Sequence, residues 1–132
     1  MAGKAIAVSN GAELRDKVVD LAEALGLVAD TEVYVGRRLW GAQRRIDVII
    51  TDSTTRRRLG VECKYQGVAG TAEEKIPATI EDIRSWPIEG IVAFAGTGLS
   101  PNMKAYLLST GKAVELPDLE VWLRFYFGLE LR

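Results

Sequence analysis

The sequence contains no histidine and only one cysteine among its 132 residues. These shortages exclude a zinc site of the common Cys/His kinds, a Ser-His-Asp triad and a Cys-His dyad, because each of those sites needs histidine or several thiolates. A lone cysteine also excludes a disulfide within the chain and is typical of a reducing compartment, so we expect a cytoplasmic location. Any catalysis must therefore depend on carboxylates and lysines, with or without a hard metal ion.

Long apolar runs are also missing. No stretch approaches the roughly eighteen consecutive apolar residues that a membrane-spanning helix requires, so we expect no membrane partner. The composition, 48% hydrophobic and 27% charged, is that of an ordinary globular protein. A chain of this length builds one hydrophobic core, and we predict a single domain over residues 1–132.

The net charge is only −1, but the charges are unevenly distributed. The segment from Arg37 to Lys64 holds eight of the seventeen basic residues and three of the eighteen acidic ones. A basic segment in an otherwise acidic protein is typical of a phosphate-binding surface, although arginines on a solvated hairpin would give the same pattern. On the first interpretation, the predicted DNA-binding residues are Arg37, Arg38, Arg44, Arg45, Arg56, Arg57 and Arg58.

The spacing of apolar residues predicts helices and strands in the order α-β-β-β-α-β-α-β-α. Helices are predicted over 11–25, 71–85, 101–110 and 117–127. Strands are predicted over 32–38, 45–51, 58–66, 90–95 and 112–116. Turn residues at 52–55 join the second and third strands as a hairpin. This order predicts an α/β fold with a mixed central sheet and helices on both of its faces.

Polar residues line one face of the third predicted strand. The two-residue period of a strand places Glu62, Lys64 and Gln66 together on that face. Asp47 interrupts the apolar second strand, where an acid costs desolvation energy unless it is paired or binds a metal. The hairpin brings Asp47 level with Glu62. Two converging carboxylates with no histidine favour Mg²⁺ or Mn²⁺ as the bound ion, and such a site suits phosphodiester hydrolysis. The alternative interpretation is that Glu62 and Lys64 are an ordinary pair on an exposed strand.

Asp47, followed after fourteen residues by Glu62-Cys63-Lys64, resembles the D-(x)n-(D/E)-x-K signature of the PD-(D/E)XK nuclease superfamily. That family has the restriction-endonuclease-like fold, whose αβββαβ core carries the aspartate on its second strand and the E-x-K on its third. The predicted order matches this core over residues 10–100 and leaves a C-terminal β-α extension. Ile46 stands where the signature has proline, a departure that is frequent in the superfamily.

The resemblance implies a role for each matching residue. The implied metal ligands are Asp47, Glu62 and the main-chain carbonyl of Cys63, and the implied catalytic lysine is Lys64. Many members carry a further metal-binding acid on the first helix, and Glu13 is the matching position here. Glu13 fits equally well as the third-position acid of a helix capping box. Gln66 continues the catalytic face beyond Lys64.

The predicted function is a metal-dependent DNA endonuclease that recognises backbone or DNA structure, because so short a chain has little room for a sequence-reading subdomain. A junction-resolving enzyme is one form of this prediction. The alternatives are a sequence-specific restriction-type subunit and an inactive DNA-binding module with the same fold. The helix from Asp118 to Phe127 is apolar around most of its circumference, which predicts a homodimer.

Overall fold

The structure, a computed structural model, describes residues 8–37, 43–67 and 76–130. The helices are α1 (Gly11–Ala24), α2 (Ile76–Arg84), α3 (Pro101–Ser109) and α4 (Leu119–Phe127), with one turn of 3-10 helix at Leu116–Asp118. The strands are β1 (Val28–Arg37), β2 (Gln43–Thr51), β3 (Arg58–Tyr65), β4 (Gly90–Ala95) and β5 (Ala113–Glu115). The predicted α/β order is confirmed. Residues 71–75 of the second predicted helix lie outside the described residues.

The five strands form one mixed sheet in the order β1-β2-β3-β4-β5. Strands β1, β2 and β3 are antiparallel, whereas β3, β4 and β5 are parallel, as a meander followed by two crossovers requires. The β2–β3 hairpin turns at Asp52, whose carboxylate accepts a hydrogen bond of 2.9 Å from the Thr54 N–H. Strand β1 begins at Val28, four residues before the predicted start. The sequence pattern misses these residues because the polar residues at 30–32 conceal the alternation of the strand.

The sheet divides the hydrophobic core into two clusters. Helices α1 and α4 cover one face through Leu14, Val18 and Leu123, and we call this side the α1/α4 cluster. Ile80 of α2 and Leu107 of α3 belong to the opposite side, the α2/α3 cluster. Each fully buried aliphatic side chain contributes about 1.5–3 kcal/mol to the free energy of unfolding. The predicted arrangement of helices on both faces is therefore confirmed.

Trp86 holds the beginning of β3 against β4. Gly60 and Gly90 lie side by side in these two strands, and the Trp86 ring lies over both of them. A Cβ atom at Gly60 would come within 2.7 Å of that ring. Glu62 follows two residues after Gly60 on the same face of β3. The contact between Trp86 and the two glycines therefore fixes the strand that carries Glu62.

Helix α4 buries only one of its faces. Leu119, Leu123 and Phe127 are buried, whereas Val121 is 54% exposed and Phe125 is 68% exposed. Trp122 and Tyr126 are partly buried and pack against the α1/α4 cluster. The helix thus belongs to the core and leaves an apolar pair, Val121 and Phe125, on the surface. Within the described segments, no helix has the length and apolarity needed to cross a bilayer.

Candidate active site

Strands β2 and β3 stop pairing immediately beside Asp47. Their ladder ends where Val48 lies opposite Val61. The Cys63 N–H then donates its hydrogen bond to Asp47 Oδ2 at 2.9 Å. A side-chain acceptor thus satisfies the main-chain donor at the end of the ladder. Extending the register by one residue places Asp47 opposite Glu62, so the two carboxylates lie at the predicted common level.

Glu62 is held in an environment that disfavours its charged form. Its side chain is 20% exposed, and Oε2 lies 4.0 Å from Lys64 Nζ. The other oxygen, Oε1, is buried and has no hydrogen-bond partner among the described residues. Burial, and then the charge of Asp47, raise the pKa of Glu62 to about 7, while Lys64 opposes the shift. A buried carboxylate oxygen without a partner is the kind of atom that a bound cation satisfies.

Asp47 shares this electrostatic situation. Burial raises the pKa of the Asp47 carboxyl, and the hydrogen bond from Cys63 partly opposes the rise. A divalent cation between Asp47 and Glu62 would favour the charged form of both, and carboxylate oxygens are its preferred ligands. In the part of the chain that the structure describes, no three His, Cys, Asp or Glu side chains meet at one point. Two carboxylates leave coordination positions open to water, which suits an ion such as Mg²⁺ that keeps several of its waters.

The remaining residues of the signature lie on both sides of β3. Burial raises the pKa of the Cys63 thiol above its ordinary value, so this cysteine stays protonated and does not act as a nucleophile. Lys64 is 39% exposed, so its ammonium is open to solvent beside Glu62. Gln66 follows the end of β3 and is buried, and its main-chain carbonyl accepts a hydrogen bond of 2.7 Å from the Gly98 N–H. The catalytic roles of these residues remain predictions.

Glu13 caps the first helix. Its carboxylate accepts hydrogen bonds of 2.8 Å from both the N–H and the hydroxyl of Ser9, and these bonds lower the pKa of Glu13. The Glu13 N–H donates in turn to Asn10 Oδ1 at 2.8 Å. One side of α1 carries Arg15 and lines the cleft at Asp47. Successive helix residues are rotated by about 100°, so Glu13 points away from that side. The structure thus places Glu13 in the cap, and its role as a metal ligand remains only a prediction.

An acid that the sequence analysis missed lies beside Asp47. An open cleft of about 270 Å³ is lined by Gly11, Ala12, Arg15, Glu32, Asp47 and Cys63. In the β1–β2 ladder, Thr31 lies opposite Val48 and Val33 lies opposite Ile46, which places Glu32 opposite Asp47. In the sequence, Glu32 stands at the first position of the predicted strand. Its relation to Asp47 depends on the pairing of the two strands, which the sequence pattern does not specify.

The predicted DNA-binding arginines lie in two separate places. Arg45 is joined to the cleft through Glu32, because its Nε lies 3.1 Å from Glu32 Oε1. Arg56, Arg57 and Arg58 lie at the hairpin turn, six residues along the strand from Arg45, which corresponds to roughly 20 Å. Arg38 and the side chains of Arg37 and Arg44 lie outside the described part of the chain. Of the described arginines predicted to bind DNA, Arg45 therefore lies near the acidic centre, and the three at the hairpin turn lie far from it.

Comparisons with known proteins identify a family and a fold. The model of a PD-(D/E)XK nuclease superfamily domain matches residues 4–121. The crystal structure of AF1548, a protein of unknown function, is similar with a TM-score of 0.52 and 19% identity, covering 77% of this chain and 57% of that one. This likeness shows a shared fold.

A repair endonuclease from Pyrococcus abyssi is similar with a TM-score of 0.41 and 12% identity, covering 86% of this chain and 50% of that one. The chain thus spans about half the length of these two solved structures. Among curated proteins, none matches the sequence.

Proposed function

This chain belongs to the PD-(D/E)XK nuclease superfamily, and we propose that it is a metal-dependent endonuclease that hydrolyses phosphodiester bonds in DNA. The observation that carries the proposal is the pair of half-buried carboxylates on β2 and β3. Asp47 and Glu62 lie at one level, both have raised pKa values, and Glu62 has an oxygen without a partner among the described residues. Such a pair is costly to the fold, and a divalent cation would remove that cost.

Each residue of the centre has a distinct task in the proposed reaction. Asp47 and Glu62 would hold Mg²⁺ or Mn²⁺, with the Cys63 carbonyl as a third ligand. The bound ion would polarise the phosphate and lower the pKa of an attacking water. Glu62 must lose its proton before it can bind the cation. Lys64 orients the attacking water and offsets the negative charge that develops on the phosphate.

The substrate class follows from the distribution of positive charge. Arg45 pairs with Glu32 beside the acidic centre, and Arg56, Arg57 and Arg58 form a second basic group at the hairpin turn. Arginines bind phosphates along a backbone without reading the bases, so we propose recognition of backbone or DNA structure. A four-way junction is one such structure. Two active sites are needed to cut two strands, and a homodimer through the exposed face of α4 would supply them.

Cleavage of a set of DNA forms tests the proposed function. The set comprises supercoiled plasmid, a linear duplex, a single strand and a four-way junction, each with Mg²⁺ and with EDTA. We expect cleavage with Mg²⁺ at rates that depend on DNA form more than on sequence. Cuts confined to one short sequence would favour the restriction-type alternative. DNA binding without cleavage of any form would favour the inactive binding module. A single domain over 1–132 and a cytoplasmic location remain predictions.

A further inference from the structure

Glu32 has an unusual backbone conformation for a residue in the middle of a strand. Its φ is +55°, in the left-handed region that residues other than glycine rarely adopt. In the described part of the chain, only Glu32 and Arg56 among non-glycine residues have positive φ, and Arg56 belongs to a turn. Strained conformations of this kind persist where the surrounding structure enforces them, and they concentrate at functional sites.

The consequence of this conformation is a change of face in two neighbouring strands. Two residues of a strand that are an even number of positions apart normally lie on the same face of the sheet. However, Ala29 packs against the α1/α4 cluster, whereas Val33 packs against the α2/α3 cluster. The same change occurs in β2, where Val48 and Ile46 belong to different clusters. Glu32 lies where β1 changes face, opposite the corresponding point in β2, and its side chain reaches the cleft that also contains Asp47.

Two guanidinium groups hold the Glu32 carboxylate. Arg15 Nη1 lies 3.3 Å from Oε2, and Arg45 Nε lies 3.1 Å from Oε1. Arginine has five N–H donors in a rigid fork, so each guanidinium keeps donors beyond the one directed at Glu32. Arg15 Nε is buried, and no hydrogen-bond partner for it is present among the described residues. The Glu32 carboxylate therefore holds two arginines beside the cleft. Arg15 also pairs through Nη2 with Asp16 Oδ1 at 3.7 Å, so within the described segments its Nε is the donor that stays free to bind a further group.

We propose that Glu32 is a positioning residue that holds Arg15 and Arg45 beside Asp47, where the two guanidinium groups bind a phosphate of the DNA backbone. This inference rests on the proposed function, because it names the phosphate-binding residues of that same site. Guanidinium forks match the geometry of phosphate oxygens and bind them with paired hydrogen bonds. Fixing both forks before DNA arrives reduces the ordering that binding must impose.

The variant Glu32→Gly distinguishes positioning from a structural role. Glycine adopts positive φ without strain, so the fold is expected to keep or gain stability in urea unfolding. The removal of an acid from a DNA-binding surface would by itself strengthen DNA binding. We expect the opposite: Glu32→Gly should bind a labelled four-way junction about tenfold more weakly in EDTA. The slope of the logarithm of the binding constant against the logarithm of the salt concentration should become flatter by roughly one unit for each phosphate that is no longer bound. Arg15→Gln should weaken binding in the same way.

The matched control is Glu81→Gln, which removes a surface carboxylate paired with Arg84 at 2.9 Å on α2. It should bind the junction as the wild type does. If Glu32→Gly is folded and binds the junction as tightly as the wild type or more tightly, the inference is overturned while the proposed function stands. If the wild type binds none of the DNA forms, both are overturned.

Discussion

The main-chain N–H of Cys63 donates a hydrogen bond of 2.9 Å to Asp47 Oδ2, at the position where the β2–β3 ladder ends. This bond ties the implied metal-binding acid of one strand to the middle residue of the E-x-K on the next. It occupies one oxygen of Asp47 and leaves acceptor sites on both oxygens, since a carboxylate accepts about four hydrogen bonds in all. The same hydrogen bond thus orients the acid and keeps it available to a cation.

Replacement of Asp47 by asparagine and by alanine separates these two tasks. The asparagine side chain would keep an oxygen that can accept from the Cys63 N–H, whereas alanine would leave that half-buried donor without its acceptor. In urea titrations, we expect the free energy of unfolding of Asp47→Ala to be about 1–3 kcal/mol lower than that of Asp47→Asn. Both variants should lose Mg²⁺ binding. Equal stability of the two variants would mean that the hydrogen bond contributes nothing to the fold.

The raised pKa of Glu62 predicts the pH dependence of stability in the metal-free protein. The folded protein binds this proton more tightly than the unfolded chain, since the pKa of Glu62 is about 7 in the folded protein against an ordinary value of 4.5. The contribution of Glu62 to the free energy of unfolding should therefore be greatest below pH 4.5 and fall by on the order of 3 kcal/mol as the pH rises through 7. Urea titrations in EDTA between pH 4.5 and 8 measure this decrease.

Glu62→Gln is the variant that assigns this pH dependence to one residue. An amide does not titrate, so most of the decrease between pH 4.5 and 7 should disappear, and the remainder would come from Asp47 and other groups. Glu81→Gln, which replaces an exposed acid on α2, is the control and should keep the wild-type pH profile. A Glu62→Gln profile parallel to that of the wild type would show that Glu62 is not held in its protonated form.

The arginines at the hairpin turn should affect DNA affinity without affecting the chemical step. Arg56→Gln with Arg58→Gln is the suitable pair, because Arg57 packs over the Tyr126 ring at 4.4 Å and its removal would also affect the core. We expect weaker binding of all DNA sequences and a salt dependence flatter by up to roughly two units. At saturating DNA, the cleavage rate should be unchanged. A reduced rate under those conditions would place the turn beside the scissile phosphate.

The dimer predicted from the apolar final helix depends on its exposed face. Phe125→Glu places a charge on that face, and we expect light scattering to report a monomer for this variant and a dimer for the wild type. The variant should nick plasmid yet lose most double-strand cleavage. Trp122 packs against the α1/α4 cluster, so a charge there would instead destabilise the fold. A Phe125→Glu variant that remains dimeric would place the interface on another surface.

Local signals explain why most of the fold is predictable from the sequence. Helix α1 begins where the Asn10 side chain accepts from the Glu13 N–H, and strand β4 has its predicted bounds. The β2–β3 hairpin forms because Asp52 organises its own turn. Each of these features depends on residues within a few positions of one another, so the order of elements and the level of Asp47 with Glu62 follow from the sequence pattern.

Long-range features explain what the sequence does not reveal. The relation of Glu32 to Asp47 depends on the pairing of two strands and on a positive φ that no neighbouring residue requires. The two interpretations of Glu13 share one sequence pattern, and only the direction of its side chain separates them. The basic segment is continuous along the chain, yet the extended hairpin carries Arg45 and the turn arginines to different ends.

The central claim is that Asp47, Glu62 and Lys64 form one metal-dependent centre for phosphodiester hydrolysis. Lys64→Ala tests this claim without removing a carboxylate, so Mg²⁺ binding by calorimetry should be retained. The control is Lys112→Ala. The Lys112 ammonium lies 2.6 Å from Glu89 Oε2 and makes no ion pair with Asp47 or Glu62 in the described structure.

The rate of supercoiled plasmid cleavage in these proteins is the most direct measurement. We predict cleavage by the wild type and by Lys112→Ala with Mg²⁺, none in EDTA, and a rate for Lys64→Ala lower by on the order of a hundredfold or more. Cleavage that persists in EDTA, or a Lys64→Ala variant that cuts as fast as the wild type, would contradict the account.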